Sequence, residues 1–114
     1  MNAETDKASY VILDSITEVS EMLWSIEALL RQAGIRRPRA VARTVLALLA
    51  ADGCIEFLRR ASGDERERPI PLAEGLAALE RDEEWALGGH PVTVFATEAG
   101  WRRYQSLAPA YLDR

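Results

Sequence analysis

Four arginines stand close together in the middle of the chain: Arg36, Arg37, Arg39 and Arg43. Pro38, which lies among them, is a residue type favoured at the first position of a helix. Planar guanidinium groups bind phosphates and guanine edges through paired hydrogen bonds. The free N–H groups in the first turn of a helix also attract phosphate. This arrangement therefore predicts a phosphate-binding surface at the start of a helix, and duplex DNA is one source of such phosphates.

The expected directions of these side chains follow from helical geometry. A helix advances by about 100° per residue, so Arg39 and Arg43, and Arg36 if the helical geometry extends to it, fall on the side opposite Val41 and its apolar stripe. Arg37 falls nearer the apolar side, and we expect it to contact a backbone phosphate from the preceding turn. The alternative is that all four are solvated surface charges that offset neighbouring acids, of which Glu18, Glu21 and Glu27 are the candidates.

The distribution of charge supports a local basic site and not a basic protein. The 114 residues include 14 basic and 18 acidic side chains, for a net charge of −4. Residues 31–60 hold seven arginines and two acids, whereas residues 1–30 and residues 61–90 each carry a net charge of −5. The overall acidity argues against indiscriminate coating of nucleic acid. It is compatible with nucleic-acid binding through residues 31–60 alone.

Residues that could carry catalysis are few. His90 is the sole histidine and lies in a Gly-Gly-His-Pro turn, and the single cysteine, Cys54, has the character of a core residue. The adjacent acids Asp82, Glu83 and Glu84 point in different directions on a helix and indicate a solvated face. The sequence contains no phosphate-binding loop and no nucleophile elbow. We therefore expect no enzyme activity, no cofactor and no metal.

The elements that would position the arginines follow from periodicity. Apolar residues three and four apart between Ile12 and Leu30 predict a helical segment, either as one rod or as two helices with Ser20 as an N-cap. Further helices are expected over residues 38–51, from Pro71, and after Thr97. Residues 54–60 and 92–96 have the composition of strands, and residues 61–70 that of an exposed loop.

Two stretches resemble the winged-helix family of DNA-binding domains. Residues 45–57 resemble the end of a recognition helix turning through Gly53 into the first wing strand. Residues 94–101 resemble the second wing strand entering the last helix, with Ala96 where many members have leucine. The resemblance implies a mainly α domain with a small β-wing (α+β). It would span residues 10–108, with a flexible N-terminus (1–9), a C-terminal tail (109–114) and an enlarged, helix-containing insertion between the wing strands.

The resemblance implies a small transcriptional regulator that binds duplex DNA, with a homodimer formed through terminal helices. The rival hypothesis is a protein-interaction module on the same scaffold that does not bind DNA. Most aromatic residues should lie in the core, whereas Trp24, at the border of the apolar stripe, is a candidate for a partner interface. One cysteine and the lack of a long apolar run predict a cytoplasmic protein without a membrane segment.

Overall fold

The computed structural model describes residues 3–60, 66–89 and 91–111, and these form a mixed α+β fold with one small antiparallel sheet. Five α-helices and four strands alternate in an irregular order along this part of the chain. The helices are α1 (Ala3–Ile16), α2 (Leu23–Gln32), α3 (Pro38–Ala51), α4 (Leu72–Leu79) and α5 (Glu98–Leu107). The strands are β1 (Glu21–Met22), β2 (Ile55–Arg60), β3 (Glu67–Pro69) and β4 (Thr93–Ala96), with short 3-10 helices over Asp82–Trp85 and Ala108–Ala110.

The N-terminal apolar stripe forms two helices separated by a bend and a short strand. Five of its six members are buried, but Val19 lies in the bend and is exposed. Of the two alternatives, the structure has two helices, but Ser20 is not the N-cap: α2 begins after Met22, and the Ser20 hydroxyl donates to Glu67 instead. The first helix begins at Ala3, so described residues of the segment expected to be a flexible N-terminus are helical.

The sheet has the order β1-β4-β2-β3, and each neighbouring pair is antiparallel. Val94 on β4 lies between Glu21 and Phe57 of the adjacent strands. The third strand lies within residues predicted to be a loop, and that prediction is wrong for Glu67–Pro69. Pro69 has no N–H to donate and is tolerated because β3 is the outer strand of the sheet.

The last helix begins as the sequence predicts, since the Thr97 hydroxyl accepts a hydrogen bond from the Gly100 N–H. Leu48 belongs to the apolar stripe that the sequence predicts for α3, and Trp101 to the predicted buried face of α5, but both side chains are exposed. The core lies where α1, α2 and α3 pack together and against the sheet, and it includes Cys54 and Trp85. Among the described residues, no helix has both the length and the apolar character needed to cross a bilayer.

Candidate nucleic-acid interface

The connection between α2 and α3 holds Arg36 and Arg37 at the protein surface. Gly34, with a φ of 83°, ends α2 in the left-handed region that favours glycine. Ile35 is buried, and its N–H donates to the Leu30 carbonyl, which fixes the connection to the core. Arg37 then takes a left-handed conformation, with a φ of 52°, directly before Pro38 opens α3. Both arginine side chains are exposed as a result.

Arg36 and Arg37 line an open groove of about 310 Å³ between the start of α1 and the start of α3. Glu4 and Thr5 lie on the α1 side, and Ala40 and Thr44 are among the lining residues from α3. Within the described part of the chain, neither guanidinium forms an ion pair or a hydrogen bond. No side chain caps the N-terminus of α3. The groove therefore combines two available cations with an open helix N-terminus.

The other two predicted arginines have intramolecular partners. Arg39 forms a two-point contact with Glu27, with both nitrogen-to-oxygen distances 3.2 Å. Arg43 Nε donates to the Leu79 carbonyl at 2.8 Å, and its Nη2 lies 3.1 Å from Asp82 Oδ1. The structure therefore divides the four arginines into an exposed pair and a pair bound to carboxylates and a carbonyl of the protein.

Arg39 and Arg43 connect α3 to the segment that follows β3. Their guanidinium carbons lie 5.5 and 5.8 Å from the centre of the Trp85 ring, within the range of cation–π attraction. The Trp85 indole N–H in turn donates to the Leu79 carbonyl at 3.0 Å. We use the name insertion for the described residues between β2 and β4, which include α4 and the 3-10 helix. We call Leu79, Asp82 and Trp85 the insertion clamp, because these residues contact Arg39 and Arg43 of α3.

No local pattern in the sequence indicates this clamp, since its partners are far apart in the chain. Glu27 is one of the acids that the sequence offers as partners of the arginines, and it contacts Arg39. Asp82 belongs to the acidic run for which the sequence predicts a solvated face, and it contacts Arg39 and Arg43. The only sequence signal was the position of Trp85, a large apolar residue directly after three acids.

Glu84 contradicts the prediction of a solvated acidic face, because its side chain is buried. Its carboxylate accepts hydrogen bonds from Arg59 and Arg81, each at 2.8 Å, and from the Val92 N–H at 2.9 Å. Burial alone would raise the pKa of Glu84, but the hydrogen bonds from Arg59, Val92 and Arg81 outweigh it and lower the pKa below its usual value. Glu84 therefore joins β2, the insertion and the start of β4 as an anion.

Since the folded state lowers the pKa of Glu84, this carboxylate stabilises the protein above the pKa of the unfolded chain. The contribution is lost as pH falls through the folded-state pKa. We expect Glu84→Gln to lower the free energy of unfolding at neutral pH by about 2 kcal/mol. The difference between variant and native protein should shrink under acid conditions.

Urea unfolding at several pH values measures this effect. Glu83→Gln is the control, because the Glu83 side chain is exposed and lies 4.0 Å from Arg81. Equal losses of stability in the two variants would contradict the role assigned to Glu84.

Three further residues that the sequence singled out are Cys54, His90 and Trp24. Cys54 is buried, as predicted, and no cluster of three potential metal ligands occurs within residues 3–60, 66–89 and 91–111. His90 lies outside the described residues. Trp24 is partly buried, and its indole N–H is enclosed without a hydrogen-bond partner among the described residues. Its place at a partner interface stays a prediction.

A scan against protein-family models and searches of curated proteins and solved structures find no match to this chain.

Proposed function

We propose that this chain is a small winged-helix protein that binds duplex DNA and acts as a transcriptional regulator. The observation that carries the proposal is the exposed pair Arg36 and Arg37, without ion pairs among the described residues, directly before the uncapped start of α3. The connectivity supports the scaffold: α2 and α3 lead into β2, and β4 pairs with both β2 and β1. The segment between β2 and β4 is the enlarged insertion.

The chemistry of the groove suits a phosphodiester backbone. The N–H groups in the first turn of α3 lack acceptors within the helix, so a phosphate oxygen can occupy that position. Arg36 and Arg37 add two positive charges beside it. Ala40 and Thr44, on the exposed side of α3, are small and would let the helix approach the surface of a duplex closely.

We assign a secondary part to Arg39 and Arg43. Arg39 pairs with Glu27 on α2, and both arginines pair with Asp82 of the insertion clamp, so they are less available to DNA in this conformation. Arg36 and Arg37 therefore provide the principal phosphate contacts in this proposal. The acidic insertion would restrict DNA to the side of α3 on which the groove lies.

Titration of a fluorescent mixed-sequence duplex at several salt concentrations tests the proposal. The variant combines Arg36→Gln with Arg37→Asn, because asparagine tolerates the left-handed conformation found at position 37. Two lost phosphate contacts should reduce the slope of log affinity against log salt by about two. Arg102→Gln combined with Arg103→Gln is the charge-matched control, since these two arginines pair with Glu98 and Asp52 outside the groove. Absence of binding by the native protein at low salt would refute DNA binding.

The second candidate is a protein-interaction module on the same scaffold, and the exposed face of α3 favours it. Ala40, Thr44, Leu48 and Ala51 are all exposed there, and none carries a charge. Such a face can pack against another protein, including a second copy of this chain. Nuclease treatment of a pull-down distinguishes the two functions: a partner that survives nuclease and is lost in Leu48→Glu supports the interaction module.

A further inference from the structure

A second cleft lies at the opposite end of α1, away from the arginine groove. It has a volume of about 380 Å³, within the usual range for small-molecule sites. Its walls come from the end of α1, the bend that follows, and α5. The residues that define this aromatic cleft include Asp14, Thr17, Glu18, Val19, Trp101 and Tyr104.

Two aromatic rings form one wall of the aromatic cleft. Trp101 is 44% exposed, and its ring centre lies 5.6 Å from that of Tyr104. The Tyr104 ring also stacks on Tyr10, and its hydroxyl donates to Asp14 at 2.6 Å. Tyr104 is therefore held in place, while Trp101 leaves part of an electron-rich surface open to solvent.

The electrostatics of the cleft are negative from three sources. Asp14 and Glu18 contribute carboxylates, and Glu18 has no ion pair or hydrogen bond among the described residues. The carbonyl end of α1 points toward the same region and carries no basic residue in its last turn. None of the described lining residues is basic. The nearby Arg102 and Arg103 on α5 pair with Glu98 and Asp52.

We propose that the aromatic cleft binds an organic cation, either a protonated amine or a quaternary ammonium group. The faces of tryptophan and tyrosine attract such cations, and tryptophan does so most strongly. An inorganic ion would gain little from an aromatic and apolar wall, whereas an alkylammonium group matches both the wall and the carboxylates. Trp101 supplies the ring contact, Glu18 the available charge, and Asp14 and Tyr104 the fixed wall. This inference does not depend on DNA binding by α3.

NMR titration of the whole chain with choline and n-butylammonium tests the site directly. The readout is the indole N–H signal of Trp101, identified by its absence in Trp101→Phe. We expect saturable shifts with a dissociation constant of about 1 mM. The neutral isostere of choline, 3,3-dimethylbutan-1-ol, should not bind measurably. A tripeptide with a central lysine and capped termini is a third probe. If it binds more tightly than choline and n-butylammonium, the natural ligand is a lysine side chain of another protein.

Two variants separate cation binding from folding. Trp101→Leu keeps an apolar side chain without the ring, and Glu18→Gln removes an exposed charge; each should weaken binding of choline by about tenfold. Glu98→Gln is the matched control, because it removes an exposed carboxylate from α5 outside the cleft lining. Equal binding of choline and its neutral isostere would overturn the proposal. So would the absence of a saturable shift, or equal losses in Glu98→Gln and Glu18→Gln.

Discussion

Replacing Trp85 with alanine is expected to lower the free energy of unfolding by about 4 kcal/mol. The Trp85 side chain is 2% exposed and is among the largest in the core. Its removal would leave a cavity and would also deprive the Leu79 carbonyl of the indole donor. Arg39 and Arg43 would lose the ring beneath them as well. These losses coincide at one residue because the insertion clamp is built around it.

Chemical unfolding followed by circular dichroism measures the loss. Trp101→Ala is the control, since it removes the same side chain from a partly exposed position and should cost about 1 kcal/mol. Comparable losses in the two variants would show that the insertion clamp does not stabilise the fold. Hydrogen exchange adds a local readout: α4 should lose protection in Trp85→Ala before α1 does.

Replacing Gly100 with alanine should cost about 3 kcal/mol, although alanine is the better helix former. A Cβ atom at this position would overlap the carbonyl oxygen of Cys54. That carbonyl cannot easily move, because it accepts the Thr97 N–H at 3.0 Å and lies next to the tight turn at Gly53. The substitution therefore pushes α5 away from the start of β2.

The same unfolding assay tests this expectation. Gln105→Ala is the control, because residue 105 is exposed on the same helix and the substitution should change stability by less than about 0.5 kcal/mol. A neutral or stabilising effect of Gly100→Ala would contradict the close packing of α5 on β2. Gly100→Ser should be destabilising for the same reason.

Periodicity and capping predicted much of the fold, since both depend on residues close in the chain. The apolar spacing along α2, Pro38 at the start of α3 and the Thr97 cap of α5 all match the structure. The predictions that fail concern features that depend on packing between elements far apart in the chain. The third strand forms because β2 supplies a partner for three residues that resemble a polar loop. Trp101 and Leu48 follow the helical stripe but lie where none of the described elements covers them.

In the candidate site, too, local sequence signals predict some features, whereas features that depend on distant residues are not predicted. The residue types at Arg36 and Arg37 indicated phosphate chemistry, and their exposure follows from Gly34 and Ile35 nearby. The contacts of Arg39 and Arg43 with Asp82 and Trp85 could not be predicted from the sequence, because Asp82 and Trp85 reach α3 only when the insertion packs against it. Helical geometry predicts that these arginines face away from the core, but both lie against the buried Trp85 ring, and the exposed face of α3 holds Ala40, Thr44 and Leu48 instead. It could not indicate that a later segment would pack against that side.

The pairing of β1 with β4 joins residues from opposite ends of the sequence. In a chain that emerges from its N-terminus during synthesis, the first three helices can assemble from local contacts. The strand that lies between β1 and β2 is the last of the four to emerge, and until then β1 and β2 have no neighbour between them. The nascent chain therefore carries two strand edges without a partner until residues 93–96 emerge, and α5, which packs on α1, follows only after them.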